Sequence, residues 1–587
     1  MSTNAELATI FERMAAMLEL LGEDRFRVNA HARAARAIEG LSGDVAEIAE
    51  NEKALTSIDG IGAKTAKKIR EYVETGRVHE HDELLAKVPA GLLEVLDVPG
   101  LGPKTVRMMW MEKGVESIAD LKRILDDGSI LELPRMGEKT VQNIRESLAF
   151  AAKSSERIRL GDALPIAERL VARLEKVKGV QRVAYAGSLR RGRETIGDLD
   201  ILVSAKDGAA AREAFTGMEG VEKVLASGEK KSSVRLQAGK ISVQADLRVV
   251  DDAAFGAALM YFTGSKEHNV RLRERAIRMG MTLNEYGLFP ETEGEKPPQE
   301  QGVKPVASRT EEEIYEALGM AFVPAELRED QGEVSDGWET PELVEVSDVR
   351  AELHAHTTAS DGVMSIVELA QCAKARGFHT IAVTDHSKSS VIAGGLDEAR
   401  LRKHIEQVRE ANGRVKGITI LAGSEVDIHA DGSLDYDDEL LAELDVVVAS
   451  PHAALRQETK EATKRLLRAV AHPLVHVLGH PTGRIINRRE GLQPDMNAIA
   501  AAAAEHGTAL EINCNHLRLD LRDRDVRIAL EHGALLALNC DVHAEEDFDE
   551  LRYGVLTGRR GGLTPERCIN TWGAKKLHGW LKKKRGG

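Results

Sequence analysis

The chain has 587 residues, of which 42% are hydrophobic and 30% charged, and its net charge is −15 at pH 7. This length exceeds what a single hydrophobic core supports, so we expect about three to five domains of ordinary globular composition. The net negative charge excludes a protein coated in basic surface, although it leaves room for a local basic groove that binds phosphates. The four cysteines form no C-x-x-C pair, which argues against zinc ribbons and disulfide scaffolds.

The N-terminal quarter has apolar residues at helical spacing, and its first 25 residues predict an amphipathic helix rather than a signal peptide. A short phrase recurs at 58–69, 98–109 and 133–144, each time a glycine turn followed by Lys-Thr and a helix. These turns resemble helix-hairpin-helix motifs, which bind DNA phosphates through backbone N–H groups without reading sequence. One turn is weak support, since glycine turns between helices are common, but three in one helical region favour DNA binding. The expected contact positions are Gly60, Gly62, Gly100 and Gly102.

Short β-rich runs follow, and one of them reads "GSLRRGRETIGDLDIL" from residue 187. Asp198 and Asp200 are two apart, so a strand would direct both carboxylates to one face, where they repel unless a cation lies between them. Asp246 supplies a third carboxylate from a later strand. The Gly-Ser turn before a helix and the arginines Arg190 and Arg191 suit the phosphates of a nucleotide. A lone Asp-x-Asp is usually structural, but this combination favours a two-metal nucleotidyl-transfer site.

An acidic, turn-rich segment at 326–348 predicts a linker, and beyond it strand and helix patterns alternate. Seven apolar runs each end in polar residues, which predicts a βα barrel with seven strands instead of the usual eight. The runs are "AELHAHT", "TIAVTDH", "ITILAGSEVDI", "LDVVVASPH", "VHVLGHP", "ALEINCN" and "LLALNCDVH".

Histidines and carboxylates cluster at the ends of these runs. Any one of them could be a structural residue, but nine nitrogen and oxygen ligands converging on the carboxyl-terminal edge of one barrel predict a metal centre. The candidate ligands are His354, His356, Asp361, His386, Glu425, His452, His480, Asp541 and His543.

The "GSLRRGRETIGDLDIL" stretch resembles the nucleotidyltransferase motif of DNA polymerase family X, and the resemblance continues through "ADLRVV" and "YFTGSKEHNVRLRERA". It implies that Asp198, Asp200 and Asp246 bind two magnesium or manganese ions, with Asp246 nearest the primer 3′-hydroxyl. It also implies a set of nine nucleotide-binding residues. Four of them, Ser188, Arg191, Gly197 and Arg157, would approach the triphosphate, and the others would lie near the sugar and the nascent base pair. The nine are Ser188, Arg191, Gly197, Arg157, Tyr261, Phe262, Gly264, Asn269 and Arg273.

The glycine turns resemble helix-hairpin-helix motifs, and residues 24–40 with the first hairpin resemble the small N-terminal domain of family X. In some members of that family a lysine of this domain forms a Schiff base with an abasic sugar. Aligned through "GIGAKTAKKI", that lysine falls on Lys68. A phosphate-binding lysine is the simpler interpretation, because an amine becomes nucleophilic only when burial or cations disfavour its charge.

The residues after 348 resemble the polymerase and histidinol phosphatase (PHP) family, which implies a trinuclear cluster and phosphoester hydrolysis. By this resemblance, His354, His356, Glu425 and Asp541 hold one ion. Glu425 also joins a second ion, bound by His452 and His480. Asp361, His386 and His543 hold the third. Such ligands suit manganese, zinc or iron, and sequence does not choose among them.

We therefore predict a multidomain α+β and α/β protein with a helical helix-hairpin-helix region, a nucleotidyltransferase palm with a mixed sheet and a distorted C-terminal (βα)7 barrel. The predicted domains are 1–80 (lyase-like), 81–155 (helix-hairpin-helix), 156–252 (palm), 253–325 (nucleotide- and template-contacting), 326–348 (linker) and 349–587 (PHP).

The predicted function is a DNA repair polymerase with a PHP-domain 3′–5′ exonuclease, to which abasic-site cleavage and 3′-phosphatase activity are further candidates. We expect a cytoplasmic, nucleoid-associated monomer that binds gapped, nicked or primer-template DNA and deoxynucleoside triphosphates, and no membrane. Three alternatives stay open at this point. They are a DNA-binding PHP nuclease with a degenerate polymerase half, a small-molecule phosphatase of the histidinol phosphate type, and a scaffold protein without activity.

Overall fold

The computed structural model describes residues 3–39, 45–56, 58, 60–96, 98, 101–134, 136–138, 140–142, 144–145, 148, 157–292 and 297–584. The chain divides into two compact units, the first built from Met1–Ser154 and the second from the rest of the chain except the short segments Asp361–Met364 and Asn487–Arg489. Of the helices within these described ranges, none has both the length and the apolar character that a membrane span requires.

The first unit is helical, as the apolar spacing predicts. Phe11, Met14 and Leu18 lie one turn apart on its first helix and are fully buried, together with Ala34 and Ile38 of the second helix. This 3–4 spacing turns one apolar stripe of each helix into a shared core. The helices include α1 (Thr3–Leu21), α2 (Arg25–Glu39), α3 (Val45–Ile48), α4 (Glu52–Thr56), α5 (Ala63–Thr75), α6 (His79–Leu85), α7 (Gly91–Leu96), α8 (Pro103–Lys113) and α9 (Ile118–Asp126).

The second unit begins with a mixed five-stranded sheet, here called the palm sheet, in the order β2-β4-β7-β6-β5. Its two central strands, β4 and β7, are parallel, whereas the other neighbours pair antiparallel. The elements are β1 (Ile158–Arg159), α10 (Leu160–Leu174), β2 (Val180–Tyr185), α11 (Gly187–Arg190), β3 (Thr195–Ile196), β4 (Asp198–Ala205), α12 (Gly208–Thr216), β5 (Val221–Ser227), β6 (Lys231–Ala238) and β7 (Ile241–Val250).

A small helical subdomain with a two-stranded ribbon follows the palm sheet. Its core joins Met260, Leu272 and Ile314, all fully or almost fully buried. Thr310 caps the last of its helices by accepting a hydrogen bond from the Glu313 backbone N–H, as the capping-box pattern predicts. The elements are α13 (Phe255–Thr263), α14 (Lys266–Arg278), β8 (Met281–Asn284), β9 (Gly287–Pro290) and α15 (Glu311–Ala317).

The segment 326–348, which its composition predicts to be a linker, contains buried charged residues. Arg328 is fully buried and Glu333 is 3% exposed. Glu333 pairs with the buried ring of His268 at 2.7 Å, and Arg328 pairs with Glu311 at 2.6 Å. Because buried charges need partners, these residues fasten the start of the segment to the subdomain before it.

Glu311 is the centre of a buried charge network. It accepts two hydrogen bonds from Arg190, at 2.8 and 2.6 Å, and a third from Arg328 at 2.6 Å. Burial alone raises the pKa of Glu311, but Arg328 and Arg190 outweigh it and lower the pKa to about 2. Arg190 therefore neutralises a structural carboxylate instead of the phosphates that its place in the motif suggests.

We expect Glu311→Gln to lower the free energy of unfolding by about 3–5 kcal/mol, because removing the carboxylate charge leaves the fully buried Arg328 and the partly buried Arg190 uncompensated. Since the folded-state pKa lies below the ordinary value of 4.5, the contribution is complete above about pH 4.5 and is lost as pH falls toward 2. Urea unfolding of the variant beside wild type, at pH 7 and at lower pH, measures both effects. Glu312→Gln on the exposed side of α15 is the matched control, and equal losses from both variants would contradict the prediction.

The rest of the second unit is a barrel of seven parallel strands in sequential order, β10 to β16. Ala355 and Val542, just beyond the first and last strands, form a parallel bridge that brings the two edges together. The strands are β10 (Ala351–Glu352), β11 (Thr380–Val383), β12 (Thr419–Asp427), β13 (Val446–Ser450), β14 (Val477–Leu478), β15 (Ala509–Asn513) and β16 (Leu536–Asn539). The helices are α16 (Ile366–Ala375), α17 (Glu398–Arg414), α18 (Asp438–Leu441), α19 (Thr459–Val470), α20 (Met496–His506), α21 (Asp523–Glu531), α22 (Leu551–Gly561) and α23 (Ala574–Lys584). The predicted seven-stranded barrel is thus confirmed.

The barrel and the palm sheet share one hydrophobic cluster. Ile486, Leu519 and Tyr553 of the barrel domain belong to the core formed by α10 and the palm strands. The two halves of the second unit are therefore packed together by apolar burial, and this packing brings charged groups of the barrel to the palm.

Candidate active sites

Three aspartates meet on one face of the palm sheet. Asp198 and Asp200 lie two residues apart in β4, and the parallel register with β7 pairs Asp200 directly with Asp246. Carboxylate oxygens of the three lie within 4.8 Å of one another. Gly187, at a φ of 64°, lies so close that a Cβ there would be 2.6 Å from Asp200 Oδ2. The glycine of the Gly-Ser pair is thus required by the carboxylate behind it.

The electrostatics of this cluster favour a bound cation. Burial, and then the neighbouring carboxylate of Asp198, raise the pKa of Asp200 to about 6. Burial alone would raise the pKa of Asp246 as well, but hydrogen bonds with Lys231 and Ser233 outweigh burial and lower the pKa of that carboxyl. Lys231 Nζ lies 2.6 Å from Asp246 Oδ2. Carboxylates crowded on one face become more stable when divalent ions neutralise them, so the three residues fit a metal site.

A cavity of about 650 Å³ opens beside the three aspartates. Eight of the nine residues that the sequence assigns to the nucleotide line it, namely Ser188, Arg191, Arg157, Tyr261, Phe262, Gly264, Asn269 and Arg273. The ninth, Gly197, lies against Arg157, whose Nη1 would be 3.1 Å from a Cβ added there. Asn269 donates to the Tyr261 carbonyl at 2.7 Å, which fixes the side chain at the cavity edge. Arginine side chains and two aromatic rings thus surround a space next to the carboxylates.

The adjacent arginines of the motif have different environments. Arg190 points to Glu311, as described above, whereas Arg191 faces the cavity and donates to the Thr263 carbonyl and to Glu329, the latter at 3.0 Å. Of the two, only Arg191 lines the cavity where a triphosphate would lie.

The nine predicted ligands of the barrel lie at the carboxyl ends of its strands and form one centre. Glu425, on β12, is surrounded by five imidazoles with nitrogen–oxygen distances of 2.8–3.7 Å, those of His354, His356, His386, His452 and His480. Asp541 lies 3.1 Å from His356 and 3.7 Å from His543. A further group joins His356, His386 and His543 with a carboxylate oxygen of Asp361. Because these groups share members, the ligands form one continuous cluster.

The polar atoms of the cluster fit metal ions. Both carboxylate oxygens of Glu425, Oδ1 of Asp541 and Nε2 of His354 are buried without a hydrogen-bond partner among the described residues. Burial raises the pKa of Glu425 and Asp541, but the surrounding imidazoles outweigh it and hold both well below their usual range. Buried polar atoms that converge without hydrogen bonds are costly unless cations bind them. The mixture of imidazole and carboxylate suits manganese, zinc or iron.

Two residues of the same centre have a strained backbone conformation. His480 and Asp541 are among the six described residues other than glycine with a positive φ, at 21° and 56°. Such conformations persist where the surroundings enforce them, and they are common at functional sites.

The sequence analysis did not identify two carboxylates that contact the imidazoles from outside the cluster. Glu511 accepts from His354 Nδ1 at 2.8 Å and from the His480 backbone N–H at 2.7 Å. Asp427 accepts from His452 Nδ1 at 3.0 Å. Each fixes an imidazole with its other nitrogen toward the centre, as outer-sphere carboxylates do at metal sites. The sequence signal that could have identified Glu511 is its place inside the apolar run "ALEINCN". Such a run predicts a buried strand, and an acidic residue there is not explained by exposure to solvent.

In the first unit, the hairpin glycines begin helices. Gly62 precedes α5 and Gly102 precedes α8, so the first N–H groups of both helices have no capping side chain. Gly60 has a φ of 90°, which favours glycine. Gly100 lies outside the described residues.

Lys68 lies in a small polar cluster of the first unit. Its ammonium is 2.6 Å from Glu80 and donates to His31 Nε2 at 3.0 Å, while His31 Nδ1 donates to the Arg27 carbonyl at 2.8 Å. Burial lowers the pKa of His31, in keeping with a neutral ring that accepts from the lysine. The Lys68 ammonium is thus held in an ion pair with Glu80 and a hydrogen bond to His31.

Five family descriptions match successive parts of the chain. They are a helix-hairpin-helix domain (2–78), a SAM-like helix-hairpin-helix tandem (92–149), the DNA polymerase beta palm (161–240), the DNA polymerase beta thumb (258–329) and the PHP domain (352–515). The DNA polymerase/3′-5′ exonuclease PolX of Bacillus subtilis (strain 168) is 35% identical over 578 residues, which are 98% of this chain and 99% of that protein. The chain belongs to DNA polymerase family X, in the bacterial group with a PHP domain.

Parts of this family X chain match other proteins separately. DNA polymerase lambda of Rattus norvegicus is 27% identical over 333 residues, 52% of each chain. A probable phosphatase of Edwardsiella ictaluri (strain 93-146) is 32% identical over 230 residues, 37% of this chain and 89% of its own length. The predicted family and fold class are confirmed by these findings, and the chain combines a stretch similar to a polymerase with one similar to a phosphatase.

Proposed function

We propose that this family X protein is a DNA repair polymerase that adds deoxynucleotides at gaps and nicks and removes 3′ nucleotides with its barrel domain. The observation that carries the proposal is the presence of two complete and separate ligand sets in one chain, three aspartates on the palm sheet and nine histidines and carboxylates at the barrel mouth. The Bacillus subtilis relative bears both activities in its name.

At the palm sheet, magnesium or manganese held by Asp198, Asp200 and Asp246 would supply Lewis-acid activation of the primer hydroxyl and charge stabilisation for the leaving pyrophosphate. Asp246 lies nearest the attacking 3′-oxygen in this proposal. The cavity residues hold the nucleotide, in that Ser188 and Arg191 bind phosphates while Tyr261 and Phe262 line the sugar pocket. Arg157, Gly197, Gly264, Asn269 and Arg273 complete the proposed nucleotide site.

At the barrel mouth, three manganese, zinc or iron ions would supply an activated water for phosphoester hydrolysis. Glu425 and Asp541 provide the anionic charge of the centre, and Glu511 and Asp427 orient the imidazoles that bind the ions. The same chemistry at a 3′ end extends to cleavage beside abasic sites and to removal of a terminal phosphate, which we propose as side activities.

DNA is the proposed macromolecular partner, held as a gapped, nicked or primer-template duplex. The helix starts after Gly62 and Gly102 support backbone phosphate binding, because N–H groups at a helix start attract anions. Gly60 and Gly100 belong to the same proposed turns. This role implies a monomer that acts in the cytoplasm at the nucleoid.

Two alternatives are disfavoured by particular features. A nuclease with a degenerate polymerase half would not need Asp200 and Asp246 in exact register on adjacent strands with a nucleotide-sized cavity beside them. A phosphatase for small amino-alcohol phosphates would not need helix-hairpin-helix regions in its first 150 residues.

Labelled DNA with a one-nucleotide gap tests the proposal directly. Incubated with manganese and all four deoxynucleotides, the primer strand is expected to lengthen, and without nucleotides it is expected to shorten from its 3′ end. Chelation of the metal should stop both reactions. A primer that only shortens would favour the nuclease alternative, and hydrolysis confined to a histidinol phosphate control would favour the phosphatase.

A further inference from the structure

One of the carboxylates that line the cavity, Glu329, lies among three arginines. Glu329 lines the cavity and is 13% exposed at its side chain. Its oxygens lie 3.0 Å from Arg191 and 3.5 Å from Arg193, which both follow α11, and 3.0 Å from Arg560. Burial opposes its charge, but Arg560 and Arg191 outweigh burial and lower the pKa of Glu329. An ionised carboxylate therefore holds the arginine that is proposed to bind the triphosphate.

Arg560 comes from the barrel domain and not from the polymerase half. It lies on α22, is 3% exposed, and donates twice to Asp523 of α21, at 2.8 and 2.6 Å. The same guanidinium donates to the Arg191 backbone carbonyl at 2.6 Å. Through these contacts Arg560 holds the backbone at Arg191 and also pairs with Glu329, and Asp523 fixes the Arg560 guanidinium on the barrel side.

A nucleotide and Glu329 compete for Arg191. A triphosphate that enters the cavity would draw Arg191 from the carboxylate, which it contacts through Nε, toward the phosphate oxygens, and the two anions would then lie side by side. A buried carboxylate without a partner is costly, whereas a carboxylate that keeps a second arginine is not. Arg560 is the second arginine that the fold provides, because Arg193 lies farther from Glu329, at 3.5 Å, and its side chain is about half exposed.

We propose that Arg560 of the barrel domain is a positioning residue for nucleotide addition, which retains Glu329 so that Arg191 is released to the incoming triphosphate. The inference rests on the proposed polymerase function of the palm site. It makes the PHP domain part of the nucleotide-binding apparatus, through a contact distinct from its own metal centre.

Steady-state addition of one nucleotide to gapped DNA tests the inference with a cycle of variants. Arg560→Gln is expected to raise the KM for nucleotide at least about tenfold with little change in kcat, because a charged hydrogen bond that favours the bound state is lost. Glu329→Gln is expected to lower the KM or leave it unchanged, since Arg191 is no longer held. In the double variant the KM should return to within about threefold of that of Glu329→Gln, because the two residues act through one contact.

Arg552→Gln is the matched control. Arg552 lies on the same helix and also joins the barrel to the palm, through Glu168 of α10 at 3.2 Å, but it does not line the cavity. Its substitution should leave the KM within about twofold of wild type, as expected for an exposed ion pair. The 3′–5′ hydrolysis of each variant reports whether the barrel is folded.

Three results would overturn the inference. They are an unchanged KM in Arg560→Gln, a raised KM that Glu329→Gln does not rescue, and a raised KM in Glu329→Gln alone. The last measurement keeps the test decisive if Arg560→Gln does not fold. A wild-type protein that adds no nucleotide would instead refute the proposed polymerase function, and the two failures are thereby distinguished.

Discussion

Asp200→Asn is expected to abolish nucleotide addition and to leave 3′–5′ hydrolysis unchanged. Asp200 is paired in register with Asp246 and lies next to Asp198, so its loss removes the central carboxylate of the proposed metal site. We expect a decrease of at least about a thousandfold in the rate of addition, since metal positioning and charge stabilisation are lost together.

The folded state should tolerate this change. Burial and Asp198 disfavour the charge of Asp200, as its raised pKa of about 6 indicates, so a neutral amide of the same shape relieves repulsion. Unfolding should occur at the same or a higher denaturant concentration than in wild type. Asp207→Asn, at the N-cap of α12, is the control, because asparagine caps helices as well as aspartate does. Addition that survives in Asp200→Asn would place the site elsewhere.

Glu425→Gln is expected to have the opposite effect, with hydrolysis lost and nucleotide addition retained. Five imidazoles face this single carboxylate, and removing its charge would weaken the binding of metal ions at the centre. We expect the rate of 3′-end removal to fall at least about a hundredfold, as for loss of a ligand or electrostatic group in an active site. The metal content of the purified protein should fall in parallel.

The exposed carboxylate of α18 supplies the control for this second variant. Glu439→Gln changes the same chemical group at an exposed position of the same domain, and should keep full activity and metal content. If Glu425→Gln retained its metals and its hydrolysis, the barrel mouth would not be the hydrolytic site. If it lost nucleotide addition as well while remaining folded, the two sites would not be independent.

Much of the barrel could be predicted because its information is local. Each apolar run specifies a buried strand, and parallel strands place their carboxyl ends on one edge, so residues such as His386 and His452 can be assigned to one cluster without knowing their distances. The Asp198 and Asp200 pair is equally local, since i and i+2 positions of a strand share a face.

Other features depend on contacts between segments that are distant in the chain, and they could not be predicted from the sequence. Arg190 and Arg191 are identical in type and adjacent, yet the helical turn directs one to the buried Glu311 and the other to the cavity. The assignment of Glu511 to His354, 157 residues away, required the register of β15 in the closed barrel. The acidic, turn-rich composition of 326–348 predicts a linker, but composition does not reveal that Arg328 and Glu333 have buried partners.

Anomalous diffraction from crystals soaked in manganese tests the central claim most directly. The account predicts two separate groups of peaks, one between Asp198, Asp200 and Asp246 and one around Glu425 at the barrel mouth. In Asp200→Asn crystals the first group should weaken while the second persists. Density that leaves Asp200 without a neighbouring ion in the wild-type protein, with the barrel ions present, would contradict the claim that this chain builds and breaks phosphodiesters at two metal centres.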